Sequence, residues 1–154
     1  MIIKVGTVFR WNNFPDNRYG EGKKARWFIC VGFTGTFNPC PLVYSYTTTT
    51  QLHHFNPGGI RERHSHHIFK VSEHPCFEQD CAIDFHESPY PIENDKLNDF
   101  SVDIEEKGVL QEQVLRMIYK RTISSRQISY MVKMDIFTSF NQDGIIGLKK
   151  PKRL

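Results

Sequence analysis

"GKKARWFICVGF", Gly22 to Phe33, decides how the rest of the chain is read. From Trp27 to Phe33 it is apolar without alternation, which predicts a β-strand buried on both faces. Arg26 stands at the entrance of that strand, behind Lys23 and Lys24. Such an arginine is either a charge flanking an apolar strand or a guanidinium held rigidly enough to grip a phosphate.

Working outward, "IIKVGTVFRWNNF" is rich in Val, Ile, Phe, Trp and Thr and predicts a strand up to about Phe14. The intervening "PDNRYGEGKKA" is full of turn residues and charges and reads as a flexible connection. "TGTFNPCP" is a second turn. "LVYSYTTTTQL" (42–52) is a third strand dominated by β-branched and aromatic residues. "HHFNPGGIRERHS" is a loop punctuated by Pro57-Gly58-Gly59. "HHIFKVS" and "CAIDF" are short strands, and "HESPYPIENDKLNDF", with two prolines and little periodicity, is a surface connection.

After Ser101 the pattern changes. Leu110, Val114, Met117 and Arg121 fall at helical spacing, with Leu115 and Ile118 widening the stripe, so a helix is expected from about Leu110 to Ile123. Ile128, Met131, Val132 and Ile136 predict a second helix over about Ser125–Phe137. Strands first and helices last is an α+β order, and short, closely spaced strands point to a small, strongly bent sheet or barrel. Residues 1–140 form one expected domain, and 141–154, ending in "KKPKRL", an expected basic, mobile tail.

At 154 residues the chain can build a real core, and 12 Phe make it aromatic-rich. No apolar run approaches the ~20 residues of a membrane span. The opening "MIIKVGTVFR" lacks the features of a secretory leader, so a soluble, cytoplasmic protein is expected. Its four cysteines include no CxxC pair and are expected to be reduced thiols.

Charge is unevenly distributed. Residues 1–72 hold nine Lys/Arg against three Asp/Glu, residues 73–112 two against twelve, and residues 113–154 nine against two. This asymmetry suggests a side that faces polyanions and a side that is acidic.

Three constellations carry potential chemistry. The first is Arg26 with the threonine run. Side chains alternate along a strand, so Thr47 and Thr49 share one face. If the second and third strands are neighbours, these hydroxyls gather near the arginine, where fork and hydroxyls suit phosphate oxygens. The second is the seven histidines, of which His64, His66 and His67, following Arg61 and Arg63, are best placed for proton transfer. Imidazoles with Cys76 and Cys81 would also suit zinc, but no recognised ligand spacing is present. The third is the basic and aromatic cluster of Arg10, Trp11, Arg18, Tyr19, Lys23, Lys24, Arg26 and Trp27, a composition that holds single-stranded nucleic acid. Trp27, inside the apolar run, is expected to be core; the reading of Trp11 stays open.

In order, "VGTVFRWNNFP", a flexible loop, "KKARWFICVG", "LVYSYTTTT" and "CAIDF" resemble the MazF/PemK-like toxin ribonucleases of bacterial toxin–antitoxin systems. The resemblance runs over roughly residues 4–140. It implies a compact SH3-like β-barrel with C-terminal helices, acting as a metal-independent endoribonuclease on single-stranded RNA, without a cofactor. It also implies a homodimer, with an antitoxin protein as partner. Carried across, Gly6 matches the family glycine and Arg26 the catalytic arginine. The catalytic threonine is Thr47 or Thr49, with Thr47 the first choice. Arg18, Lys23, Lys24, Arg61, Arg63, His64 and His66 are the expected RNA contacts. Trp27 stands where the family has proline, and Gly6-Thr7 where it has Gly-Asp. The alternative is a non-catalytic nucleic-acid- or protein-binding module of the same barrel fold.

Overall fold

The computed structural model describes residues 3–18, 22–35 and 39–153. Seven strands and three helices follow in the order β1 (Thr7–Phe14), β2 (Lys24–Phe33), β3 (Leu42–Thr47), β4 (His66–Phe69), β5 (Cys81–Asp84), β6 (Tyr90–Glu93), α1 (Asn94–Asp99), β7 (Ile104–Val109), α2 (Glu112–Ser124) and α3 (Tyr130–Gln142). The architecture is α+β. Five antiparallel strands form the main sheet in the order β6-β3-β2-β1-β7, and β4 and β5 pair as a separate ribbon.

The unalternating run of β2 has the predicted cause. Ile29 and Val31 face a core shared with Tyr44, Tyr46, Ile118, Ile136 and Phe140, under α2 and α3. Phe28 and Cys30 face a second core with Phe9, Trp11, Phe14 and Val43. All four of these β2 residues are fully buried. The second core also takes Tyr90 and Ile92 from one edge strand, Ile104 from the other and Leu97 from α1. Residues from all five strands of the main sheet thus meet on one concave side. The ring of Phe14 on β1 lies 5.5 Å from Tyr90 on β6, although three hydrogen-bonded pairings separate those strands along the sheet. Irregularities in the β1–β2, β1–β7 and β2–β3 ladders supply the local twist for that curl. Curled as it is, the sheet does not close into a barrel: β6 and β7 are its two edges.

Glycine is required where elements approach closely. Gly6 has φ +92°, and a Cβ there would come within 2.7 Å of the Leu115 side chain. Gly32 lets α3 lie directly on β2; a Cβ would meet the backbone of Ile136 at 3.1 Å. Ser139 of α3 fastens the same place, receiving the Phe33 amide at 2.8 Å.

Several expectations need correction. "HESPYPIENDKLNDF" is not a plain connection: it contains β6 and α1. Pro91 is tolerated because β6 is an edge strand and needs no donor on its outer side. β7 was not expected, α2 begins at Glu112, and α3 lies about five residues later than predicted, capped by the Ser129 hydroxyl on the Val132 amide. The expected tail packs back on the domain, with Ile145 and Pro151 buried and the Arg116 guanidinium donating to the Ile146 carbonyl at 2.8 Å. Tyr19 lies outside the described residues. No helix is long and apolar enough to cross a membrane among the described residues.

Candidate functional site

The third strand ends sooner than its β-branched run suggests, and that early end creates the site. β3 stops at Thr47, and Thr49 instead exchanges two backbone hydrogen bonds with Ala82 of β5, both 2.9 Å. The threonine run therefore crosses from the main sheet to the ribbon. The last backbone bond holding β2 to this segment is Thr48 N–H to the Trp27 carbonyl, 3.1 Å. One residue earlier, Arg26 is still paired with Trp11 on β1 but has outrun β3.

The gap left there is a cleft of about 370 Å³, lined by Lys24, Arg26, Trp27, Thr47 to Thr50, Arg61 and Asp84, among others. The structure thus brings together Lys24, Arg26, Thr47, Thr49 and Arg61 from the expected set. Arg26 is oriented by Asn17, whose side-chain carbonyl accepts from Nε. Among the described residues its terminal nitrogens meet no acceptor, so the outer edge of the fork faces the cleft. Trp27 is only half-buried: it packs against the main core, 5.9 Å from Phe77, and borders the same cleft.

The four hydroxyls are not equivalent. Thr47 donates its proton to the Trp27 carbonyl at 3.2 Å. Thr48 is buried and bonded to the Cys81 thiol, whose pKa burial pushes up to about 11. Thr49 accepts from the Gln51 amide at 3.2 Å, which leaves its own O–H to be donated.

A network not foreseen from the sequence stands behind the cleft. The Asp84 carboxylate, 6% exposed, receives Arg61 Nη1 at 3.0 Å, His64 Nδ1 at 2.8 Å and the His86 amide at 2.9 Å. Arg61 also reaches Glu87 at 3.4 Å. A charge inside the otherwise apolar "CAIDF" was the available signal, because a buried carboxylate requires partners. Both carboxylates at the cleft are thus engaged by Arg61, whereas Lys24 and Arg26 have no acidic partner among the described residues.

Arg61 is delivered by a tight loop. Its amide bonds the His54 carbonyl at 2.8 Å, and a Cβ on Gly59 would sit 2.3 Å from that same oxygen. Gly59→Ala is therefore expected to displace the loop, at a cost of about 1–3 kcal/mol. Thermal unfolding checks this; an unchanged midpoint would refute it.

The other expected contacts are dispersed. Arg18 is held by the Ser88 and Pro89 carbonyls and covers the Tyr90 ring at 3.8 Å, outside the cleft. His66 stacks on Phe55 at 4.3 Å, and His64 on His86 at 4.2 Å. His67 has its pKa lowered by burial first, then by Arg121, His74 and His66. Lys23 is exposed beside Lys24, Arg63 borders a different cavity, and Trp11 is fully buried core. Among the described residues no three His, Cys, Asp or Glu are grouped to hold a metal ion. The chain matches no protein-family model, no curated protein and no solved structure.

Proposed function

We propose that this chain is a MazF/PemK-like endoribonuclease that cleaves single-stranded RNA without a metal. The observation that carries the reading is the juxtaposition in one cleft of Arg26, whose terminal nitrogens meet no acceptor among the described residues, with the Thr49 hydroxyl, which accepts from Gln51 and keeps its own proton to donate. The curled five-stranded sheet, with one core enclosed on its concave side, is compatible with the SH3-like barrel that the resemblance implies.

In this mechanism the ribose 2′-hydroxyl gives its proton to water as its oxygen attacks the adjacent phosphorus, the bond from phosphorus to the 5′-oxygen breaks, and the departing 5′-oxygen takes a proton from water. The products are a 2′,3′-cyclic phosphate and a 5′-hydroxyl. Negative charge accumulates on the non-bridging oxygens of the phosphorane, and donors fixed in place before the reaction stabilise it most. Arg26 supplies the charged fork and Thr49 a neutral donor; Lys24 draws the backbone towards the cleft. The hydroxyl geometry favours Thr49 over Thr47, reversing the order of preference set by sequence. A homodimer, with an antitoxin segment covering the basic cleft, belongs to the same reading.

The test is cleavage of a single-stranded RNA in EDTA. Wild type is expected to retain full activity. Thr49→Val is expected to lose about 10- to 100-fold, the worth of one transition-state hydrogen bond, with Thr49→Ser close to wild type. Thr47→Val should lose only a few-fold. Cleavage abolished by EDTA, or a larger loss at Thr47 than at Thr49, would overturn the corresponding part. Tight RNA binding with no cleavage by wild type would favour the non-catalytic module.

A further inference from the structure

A concentration of positive charge lies away from the cleft; of its cations Arg116 is paired, with Glu112 at 3.2 Å. Two adjoining cavities, about 680 and 580 Å³, share Lys120, Ser124, Ser125 and Arg126 at the C-terminal end of α2. Together they form one groove lined by nine Lys/Arg and by no Asp or Glu. Chance placement on a surface with nearly as many acids as bases would not exclude carboxylates from a groove of this size. Like charges held together also oppose folding, so the arrangement needs a ligand to explain it.

The groove is built rather than a loose basic tail. Its far rim is the segment Gly147–Lys152, fixed where the Tyr119 hydroxyl donates to the Lys149 carbonyl and where Pro151 is buried. Lys133 also lines it; most of its side chain is covered, and its ammonium has no ion pair or hydrogen bond among the described residues. A lysine whose stem is packed while its head meets no carboxylate presents its charge at the groove.

The course of the groove indicates which anion. Asp84, Glu87 and Ser88 border the cleft of Arg26, while Phe85 and His86, between them in sequence, border the basic groove. One short ridge is thus the common wall of both. Its crest carries the exposed His86, whose ring is stacked on His64 on one face, and the groove beyond adds the Ser65 hydroxyl, which accepts from Arg121 at 3.2 Å and keeps its own proton to donate. Closely spaced cations and a hydroxyl donor, next to a ring with one face uncovered by His64, match a phosphodiester chain with unpaired bases.

We propose that this groove is a second binding track for single-stranded RNA, taking the phosphates of the strand after it crosses the Asp84–Ser88 ridge. The identity of the strand rests on the endoribonuclease reading; the groove's affinity for a nucleic-acid backbone does not.

The experiment measures fluorescence anisotropy with 2′-O-methyl oligonucleotides, which cannot be cleaved, of 5 and 15 nucleotides. Wild type is compared with the triple variant Lys120→Gln, Arg126→Gln, Lys150→Gln, whose positions are all exposed, with circular dichroism to verify folding. Wild type is expected to bind the 15-mer at least tenfold more tightly than the 5-mer, and the triple variant to close most of that gap. The slope of log K against log salt for the 15-mer should fall by about 2, since each single-strand phosphate contact contributes roughly 0.7. Unchanged 15-mer affinity in the triple variant overturns the proposal. So does a poly-glutamate peptide that binds as tightly as the 15-mer with the same sensitivity to the variant, because the groove would then serve an acidic protein. If unmodified RNA is not cleaved but the length-dependent binding persists, the groove stands and the endoribonuclease reading falls.

Discussion

Arg26→Ala is expected to lower RNA cleavage by about 10³-fold or more, the usual consequence of removing a charged donor from a phosphoryl transition state. On the proposed toxin reading, wild type is expected to slow growth on expression and Arg26→Ala is not. The loss should be catalytic, not structural. Arg26 is half-buried, and its one hydrogen bond among the described residues goes to the Asn17 side chain. Deleting such a bond costs about 1 kcal/mol, a change of roughly 2–4 °C in thermal midpoint for a chain of this size. Arg26→Lys should recover only part of the activity, because a point charge cannot present two parallel donors to one phosphate. Equal cleavage by wild type and Arg26→Ala, measured with both proteins folded, would remove Arg26 from the mechanism.

Asp84→Ala is expected to produce the largest loss of stability among the residues of the site. Three donors converge on this buried carboxylate, and removing it leaves the Arg61 guanidinium only its Glu87 contact and deprives the His64 ring of its carboxylate. Breaking a buried pair costs about 3–5 kcal/mol, and partners that remain a quarter exposed place this case at the lower end. The thermal midpoint should therefore fall by about 6–12 °C. A cycle with Arg61→Ala separates the pair from the packing: the double variant should be less destabilised than the two single losses added, by over about 1 kcal/mol. A midpoint within about 2 °C of wild type would mean that Asp84 is adequately solvated without its partners.

Legibility in the sequence followed how locally each element is determined. β1, β2 and α2 announce themselves because each buries a dense apolar face, and composition alone reports that. β6 and β7 are edge strands, and an edge strand can carry Pro91 or expose Glu105 and Glu106 without losing its inner ladder. Such strands look like loops until their neighbours are known. α3 was displaced because the Ser125–Gln127 segment has helical composition but bonds elsewhere: Ser125 donates to the Phe85 carbonyl, and the Gln127 carbonyl accepts from Ser88. At the cleft, Arg26 and the threonines could be paired from strand order. The commitment of each hydroxyl could not, since it depends on where β3 breaks away towards β5. The convergence on Asp84 is tertiary throughout, joining a loop, a ribbon strand and a turn. The charge of the C-terminal third was visible at once, but its gathering into a groove free of acids required the packing of the terminal segment against α2.

The seating of α3 on Gly32 has a bearing on the order in which the cleft is assembled during synthesis. β2 carries Arg26 at one end, and at the other is clamped by Ile136 and Ser139, more than a hundred residues further along the chain. Every side chain lining the cleft has been translated by Ser88, yet the strand that holds the arginine is not locked until α3 has emerged from the ribosome and docked. On the proposed endoribonuclease reading, the competence of Arg26 would thus wait on a contact made by a much later part of the chain.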